Sequence, residues 1–165
     1  MPLYWDADEG RLYGDIAGLK SPFIYYNGLS KGVGSNDLGL DRGRLADTHL
    51  VTLDQVGKKV FLTAVNTKYT ARSDNAAERR AVDEAFAQSI IWGFEVAEQS
   101  EGMTLIDLTD FALSDATDLS RLLAARGEGS YAIDSSRSAI HAPKTKSFPD
   151  NTEIDARLTY AGKPK

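Results

Sequence analysis

The chain contains no cysteine and only two histidines among its 165 residues. Without cysteine there is no disulfide, no thiol nucleophile and no cysteine-ligated metal. The two histidines, His49 and His141, lie far apart in the sequence. The His-Glu-x-x-His motif, which places two imidazoles on one helix face around zinc, therefore does not occur in these residues. The missing cysteines do not by themselves identify a cellular compartment.

Two further absences concern partners. No apolar run approaches the ~20 residues that a membrane-spanning helix needs. The net charge is −5, and the sequence has no basic cluster or basic helix. Because nucleic-acid binding requires a clustered positive face, the sequence favours neither a nucleic-acid partner nor a membrane span.

What is present is the composition of a folded globular protein, with 42% hydrophobic and 26% charged residues. A chain of this length can bury roughly 70% of its unfolded surface, which is enough for one core. We therefore predict a single domain over residues 1–165, with Phe86, Trp92 and Phe94 in its core. The sequence begins with a predicted strand and turn, "PLYWDADEG", and not with a signal peptide. We expect this domain to be excised from a larger multidomain protein.

Hydrophobic periodicity indicates strands in the first half of the chain and again near its end. Turn residues separate them, as in "THLVTLD" and "KKVFLTAV" on either side of "QVG". Apolar residues at helical spacing predict two helices, over about residues 76–89 and 116–126, with Asp115 as the N-cap of the second. Strands in hairpins with two helices predict an α+β fold, in which the helices pack on a mainly antiparallel sheet.

The stretch "KGVGSNDLGLDRGR", residues 31–44, is the most distinctive candidate site. It lacks the lysine of a Walker A loop and the third glycine of a dinucleotide-binding fingerprint, which argues against a phosphate site. It also lacks the final glutamate of an EF-hand loop, although an irregular calcium site stays open. The pattern favours glycines that allow tight turns, with polar side chains bonding local amides and Arg42 paired with a carboxylate. The candidate interaction loop consists of Gly32, Gly34, Ser35, Asn36, Asp37, Gly39, Asp41, Arg42 and Gly43.

Three other sets of residues are candidates for chemistry or binding. Asp107 and Asp110 could pair for acid–base work, but strand-end and turn aspartates explain them as well. His49 or His141 could act with an aspartate in a small hydrolase, although the sequence has no Gly-x-Ser-x-Gly nucleophile motif. Four aromatic residues could line a groove for a peptide or a glycan, with core packing as the alternative. They are Tyr4, Trp5, Tyr25 and Tyr26.

Several stretches together resemble the family of domains named DUF5117. They are "PLYWDADEGRLYGDI", "GVGSNDLGLDRGR", "SDNAAERRAVDEAFAQSIIWGFEV", "LIDLTDFALSD" and "SFPDNTEIDARLTY". They span nearly the whole chain, and the glycine-rich stretch is the most specific of them. The family is found upstream of the catalytic domain in bacterial zinc-dependent metalloproteases. The resemblance therefore implies a secreted or periplasmic parent protein with a His-Glu-x-x-His zinc site in a later domain.

The resemblance assigns no catalytic, cofactor-binding or metal-binding residue to this chain, because the chain stops before any such motif. It implies a non-catalytic accessory domain whose partner is the downstream peptidase domain of the same polypeptide. Such a domain would support the peptidase fold or contribute to binding a peptide substrate, with zinc in the downstream domain. Two alternatives stay open. They are a stand-alone peptide- or glycan-binding module that uses the four aromatic residues, and a small hydrolase that uses one of the histidines.

Overall fold

The computed structural model describes residues 1–32 and 36–165. Seven of its strands form one sheet in the order β1-β2-β7-β6-β5-β4-β3, and all neighbouring strands are antiparallel. Their bounds are β1 Leu3–Asp6, β2 Arg11–Asp15, β3 Phe23–Gly28, β4 Leu45–Val56, β5 Lys59–Ala64, β6 Ser89–Ser100 and β7 Met103–Asp107. The two edges of the sheet are therefore β1 and β3.

The long strand β6 joins the two halves of this sheet. Its first part, Ser89–Glu95, pairs with β5, and its last part, Val96–Ser100, pairs with β7. Each pairing contains a register shift, which marks a β-bulge. Because a bulge adds local twist, the sheet changes direction along β6.

The core lies on one face of the large sheet, which we call the inner face. Successive side chains along a strand point to opposite faces of the sheet. Residues that pair across two neighbouring strands point to the same face, as Val60 and Phe94 do on the inner face. The fully buried cluster consists of Leu12, Val51, Val60, Leu62, Phe94, Ile106, Leu108 and Ile140. Phe94 is thus a core residue, as the sequence predicts, and Trp92 packs against the core while partly buried.

The C-terminal third of the chain folds into nested antiparallel pairs. The outermost pair is β8 with β13, the next is β9 with β12, and the innermost is β10 with β11. Their bounds are β8 Gly129–Ile133, β9 Ala139–Ile140, β10 Lys146–Ser147, β11 Thr152–Glu153, β12 Ala156–Arg157 and β13 Tyr160–Pro164. Ile140 and Ile154 of this region pack against the core of the large sheet.

The helices of the described residues are short. They are α1 Ala76–Ala85, α2 Thr109–Ala112 and α3 Leu119–Ala125, with 3-10 turns at Asn36–Leu38, Ser135–Arg137 and Ala142–Lys144. None of these helices is long and apolar enough to cross a membrane. The predicted α+β class with a mainly antiparallel sheet is confirmed.

The helix bounds differ from those that the sequence predicts. The first helix ends at Ala85 and not at Ser89, because Phe86 is extended and the β-branched residues beyond it pair as β6. No side chain of α1 is buried. Phe86 was predicted to lie in the core, and this prediction is wrong. Its ring is 38% exposed and stacks on Tyr69 with 4.2 Å between centroids.

The second predicted helix begins three residues later than expected, at Leu119 instead of residue 116. The carboxylate of Asp115 still caps it, accepting the backbone N–H of Leu119 at 2.8 Å and of Ser120 at 2.9 Å. The N-cap position itself is occupied by Asp118, so the prediction of Asp115 as the N-cap residue is wrong. Residues 116–118 form a loop between Asp115 and the helix.

Candidate functional site

A cleft of about 390 Å³ opens on the inner face of the sheet, beside the segment that leads into α3. We call it the bulge cleft. Its sheet side is lined by Tyr25, Asn27, Arg44, Ala46, Asp47, His49, Ile91 and Trp92. Its other side is lined by Phe111, residues 114–118, Arg121 and Leu122. The volume falls within the ~300–1,000 Å³ that is usual for small-ligand sites.

A bulge in β4 brings several polar side chains into this cleft. Opposite the stretch between Tyr26 and Gly28, β4 contains one residue more than β3. In a regular strand, successive side chains alternate between the two faces. The extra residue breaks this alternation, so that Arg44, Asp47 and His49 all line the same cleft.

A second bulge, in β6, acts in the same way on apolar side chains. Leu62 pairs with Trp92, whereas the next residue, Thr63, pairs with Ile90. Ile91 is the additional residue between them. The neighbouring side chains of Ile91 and Trp92 consequently both line the cleft. Bulges are enriched beside functional sites, where they redirect side chains.

The opposite wall contains a strained backbone position. Asp118 has a φ of 55° and a ψ of 37°. Among residues 1–32 and 36–165, it is the only non-glycine residue with a positive φ. This left-handed conformation costs a non-glycine residue of order 1–3 kcal/mol and is concentrated at functional sites. The Asp118 carboxylate pairs with the Nε of Arg121, which leaves Asp115 as the other charged group of this wall.

Asp115 holds this wall against the C-terminal strands. Its Oδ1 accepts the hydroxyl proton of Tyr160, on β13, at 2.7 Å. Burial alone would raise the pKa of Asp115. The hydrogen bonds from Tyr160, Ser120 and Leu119 outweigh that effect and lower this pKa below its ordinary value of 3.8. Burial and the bond to Asp115 raise the pKa of Tyr160, so at neutral pH the pair is a carboxylate and a phenol.

Two nitrogen-bearing side chains of the cleft differ from these paired groups. Arg44 and His49 are both half-buried. Within residues 1–32 and 36–165, neither side chain has a hydrogen-bonding or ionic partner. The backbone of Arg44 is fixed, because its N–H donates to Asp41 at 3.2 Å and its carbonyl accepts from Leu29 at 2.9 Å. The cleft therefore presents a guanidinium on a fixed backbone, and no side chain of the described residues neutralises it.

The glycine-rich stretch lies beside this region. Gly34 and Ser35 of the candidate interaction loop fall outside the described residues, and Asn36 and Asp37 belong to a 3-10 turn. Gly39 and Gly43 have φ values of 58° and 85°, which agrees with the interpretation that the glycines allow tight turns.

Packing in the same stretch explains a further glycine. A Cβ on Gly32 would lie 3.0 Å from the carbonyl oxygen of Leu40, whose own side chain is only 1% exposed. Arg126 donates from Nη1 to the carbonyl of Asp37 at 3.1 Å, which ties the loop to the end of α3. The neighbouring loop residues, Asp41 and Arg42, are exposed.

The predicted pairing of Arg42 with a carboxylate is not found in the described part of the chain. The arginine that anchors the loop is instead Arg126, which sequence reasoning did not identify as a loop contact. The reason is that α3 is distant in sequence and its C-terminal end meets the loop only in the folded chain.

The four aromatic candidates divide between the two edges of the sheet. Tyr4 and Trp5 lie on β1, with exposed fractions of 48% and 41%, and Tyr26 on β3 is also exposed. Tyr25 instead points inward, 5.5 Å from the ring of Phe111 between centroids. The strand order places five strands between the two pairs of rings.

His141 has the contact that the hydrolase hypothesis requires. Its Nδ1 lies 3.0 Å from Oδ1 of Asp155, and both side chains are 19% exposed. The other ring nitrogen, Nε2, lies 3.0 Å from a guanidinium nitrogen of Arg157. Because a guanidinium only donates, Nε2 accepts and Nδ1 carries the proton. The lone pair that a general base would use is therefore already engaged.

The two aspartates of "IDLTD", which were candidates for an acid–base pair, have separate structural positions. Asp107 accepts from Arg11 Nη1 at 2.7 Å and from the backbone N–H of Thr109 at 2.8 Å. The bond to Asp107 raises the pKa of Arg11. Asp110 is exposed in the first turn of α2. Within the described residues, no group of three or more histidine or acidic side chains is placed to hold a metal ion.

The chain matches a known family of domains over most of its length. The model of the family described as "Domain of unknown function (DUF5117)" matches residues 43–165. Because this match covers most of the chain, the chain belongs to the DUF5117 family. No similar curated protein and no similar solved structure was found. The match begins at Gly43, so it leaves out most of the glycine-rich stretch, which is the part of the sequence that was expected to be most specific for the family.

Sequence reasoning did not identify the bulge cleft. It placed Trp92 in the core and gave no role to Arg44, Asp118 or Arg121. The sequence did contain one signal of the β4 bulge, namely a glycine at the end of a predicted strand. An isolated glycine inside a strand pattern often marks a bulge. Gly28 lies at the β4 bulge, where a Cβ would come within 3.2 Å of the carbonyl oxygen of Arg44.

Proposed function

We propose that this chain is a non-catalytic accessory domain of a secreted or periplasmic bacterial zinc metallopeptidase. Its partner is the downstream peptidase domain of the same polypeptide, which holds the zinc. The membership of the DUF5117 family supports this proposal together with one surface of the fold. The surface is an exposed apolar patch on the outer face of the large sheet.

This outer patch consists of Ile24 and Tyr26 on β3 and Leu45 and Leu50 on β4. Their exposed fractions are 67%, 55%, 60% and 36%. The strand register makes them neighbours, because Ile24 lies directly opposite Leu50 and Leu45 lies opposite Gly28. A contiguous group of large exposed apolar side chains indicates a protein-binding surface.

The position of the patch strengthens this argument. β3 is an edge strand, and proteins usually protect edge strands with charges, prolines or covering elements. The six residues of β3, "FIYYNG", contain no charge and no proline. A neighbouring domain seated on β3 and β4 would cover both the apolar patch and the edge.

The test is co-purification of this chain with the separately expressed polypeptide segment that follows it in its gene. We expect that segment to contain a His-Glu-x-x-His helix and to associate with this chain. Deletion of residues 1–165 from the parent protein should then lower its peptidase activity. Failure to associate, together with unchanged activity after the deletion, would reject the proposal.

The stand-alone binding module is the second candidate, and the exposed rings of Tyr4 and Trp5 favour it. Substitution of both rings by serine separates the two functions. A stand-alone module would lose binding to peptide or glycan arrays. An accessory domain that docks through the outer patch would keep its association with the peptidase domain.

A further inference from the structure

We propose that the bulge cleft binds the free C-terminal carboxylate of a short peptide whose last side chain is apolar or aromatic. This inference rests on the proposed function, since it assigns a peptide ligand to an accessory domain of a peptidase. The two proposals use different surfaces. The peptide would bind in the bulge cleft on the inner face of the sheet, whereas the peptidase domain would bind the outer patch on the opposite face.

Charge selects the carboxylate. Arg44 is half-buried and has no acidic partner within the described residues, whereas Arg121 is neutralised by Asp118. A partly desolvated guanidinium binds a carboxylate through short, charge-assisted hydrogen bonds, often two at once. His49, which lines the same cleft, supplies a second donor when one of its ring nitrogens faces the ligand.

The apolar walls select the side chain. Trp92, Phe111 and Tyr25 line the cleft and give it aromatic surface. The rings of Trp92 and Phe111 lie 5.5 Å apart between centroids, at an angle of 57°, which forms a corner and not a flat surface. A terminal leucine or phenylalanine side chain would bury apolar area against such a corner.

The bulges place these two features next to each other. Without the bulge in β4, the side chains of Arg44 and His49 would not both face the cleft. Without the bulge in β6, Ile91 and Trp92 would lie on opposite faces. Three carboxylates at the same cleft oppose an anionic ligand. Asp47 is exposed, Asp118 pairs with Arg121, and Asp115 accepts hydrogen bonds from Tyr160 and from the start of α3.

The experiment is a calorimetric titration of the whole chain with acetyl-Gly-Phe, which has a free carboxylate, and with its C-terminal amide. We expect the free acid to bind about tenfold or more tightly than the amide. Arg44→Gln should weaken binding of the acid by a similar factor. Asp47→Asn should leave binding unchanged or strengthen it. Arg42→Gln, an exposed arginine outside the cleft, is the matched control and should bind like the wild type.

Each result bears on the proposal. Equal binding of acid and amide, no binding of either at millimolar concentration, or equal losses for Arg42→Gln and Arg44→Gln would overturn it. Circular dichroism and thermal unfolding of each variant show whether a loss comes from misfolding, and Asp47→Asn, which keeps Arg44, tests the charge argument independently. The titration needs no peptidase domain, so its failure is distinguishable from failure of the co-purification that tests the proposed function.

Discussion

At the residue scale, single hydrogen-bonding groups and single glycines fix the walls of the cleft. Asp115 accepts hydrogen bonds from two backbone amides of α3 and from the hydroxyl of Tyr160. One carboxylate thus joins a helix to a strand 45 residues away in sequence. The sequence predicts Asp115 as the N-cap, because aspartate before an apolar stripe is a common helix start, but the N-cap residue is Asp118. It could not predict the bond to Tyr160, which depends on how the C-terminal strands fold back.

The lowered pKa of Asp115 makes stability depend on pH with a defined sign. A carboxyl whose pKa is lower in the folded than in the unfolded chain stabilises the fold above its ordinary pKa of 3.8. That contribution is lost as pH falls through the lowered folded value. We therefore expect wild type to exceed Asp115→Asn in free energy of unfolding at neutral pH, and the difference to shrink below about pH 4.

Urea unfolding at several pH values measures this difference. Asp110→Asn, an exposed aspartate in α2, controls for the change in net charge. If the difference between wild type and Asp115→Asn stays constant from pH 7 down to about pH 2.5, the hydrogen bonds to Asp115 do not lower its pKa, and the described geometry is incorrect.

Gly43 is a second residue whose conformation gives a clear prediction. Its φ is 85°, and nothing lies within 4 Å of the position that a Cβ would occupy. Gly43→Ala should therefore cost about 1–2 kcal/mol through backbone strain alone. Gly18→Ala is the matched control, because its Cβ position is equally open and its φ lies outside the positive range. Equal unfolding midpoints for the two variants would contradict the turn conformation assigned to Gly43.

At the scale of elements, period-2 patterns were a reliable guide to the strands, whereas element ends and bulges were not. The hairpin of β4 and β5 around "QVG" is confirmed. The first helix was predicted too long because "FAQS" after Ala85 carries no strong stop signal. The bulges went unpredicted because a bulge changes the register with a partner strand, and the partner is unknown until the sheet forms.

The helix α1 is the element least attached to the rest of the fold. None of its side chains is buried. Within α1, Val82 is partly buried and the other residues are exposed. Val82→Ala should change the free energy of unfolding by less than about 0.5–1 kcal/mol. Val51→Ala makes the same chemical change at a fully buried core position and should cost about 2 kcal/mol or more. Similar costs for the two variants in urea unfolding would show that α1 is packed more tightly than the structure has it.

At the scale of the whole molecule, composition and periodicity predict the α+β class and the antiparallel sheet, since both depend on local patterns. Strand order and the nested pairs of the C-terminal third depend on contacts between distant segments, such as Tyr160 opposite Ile133, and no local pattern specifies them. The cleft belongs to this second class of feature. Its charged residues lie within residues 44–47 and 115–121, two segments that are far apart in the sequence.

Our central proposal is that the fold presents the outer patch to a neighbouring peptidase domain. Patch residues contribute to binding mainly by burying apolar area. A double variant, Ile24→Asn with Leu50→Asn, removes two facing side chains of the patch. Tyr4→Asn removes a comparably exposed ring at the opposite edge of the sheet and serves as the control.

The most direct measurement is the dissociation constant between this chain and the downstream segment of the parent protein, determined for wild type and both variants. We expect the double variant to raise the dissociation constant by about tenfold or more, with Tyr4→Asn close to wild type. A double variant that binds as tightly as the wild-type chain would contradict the claim.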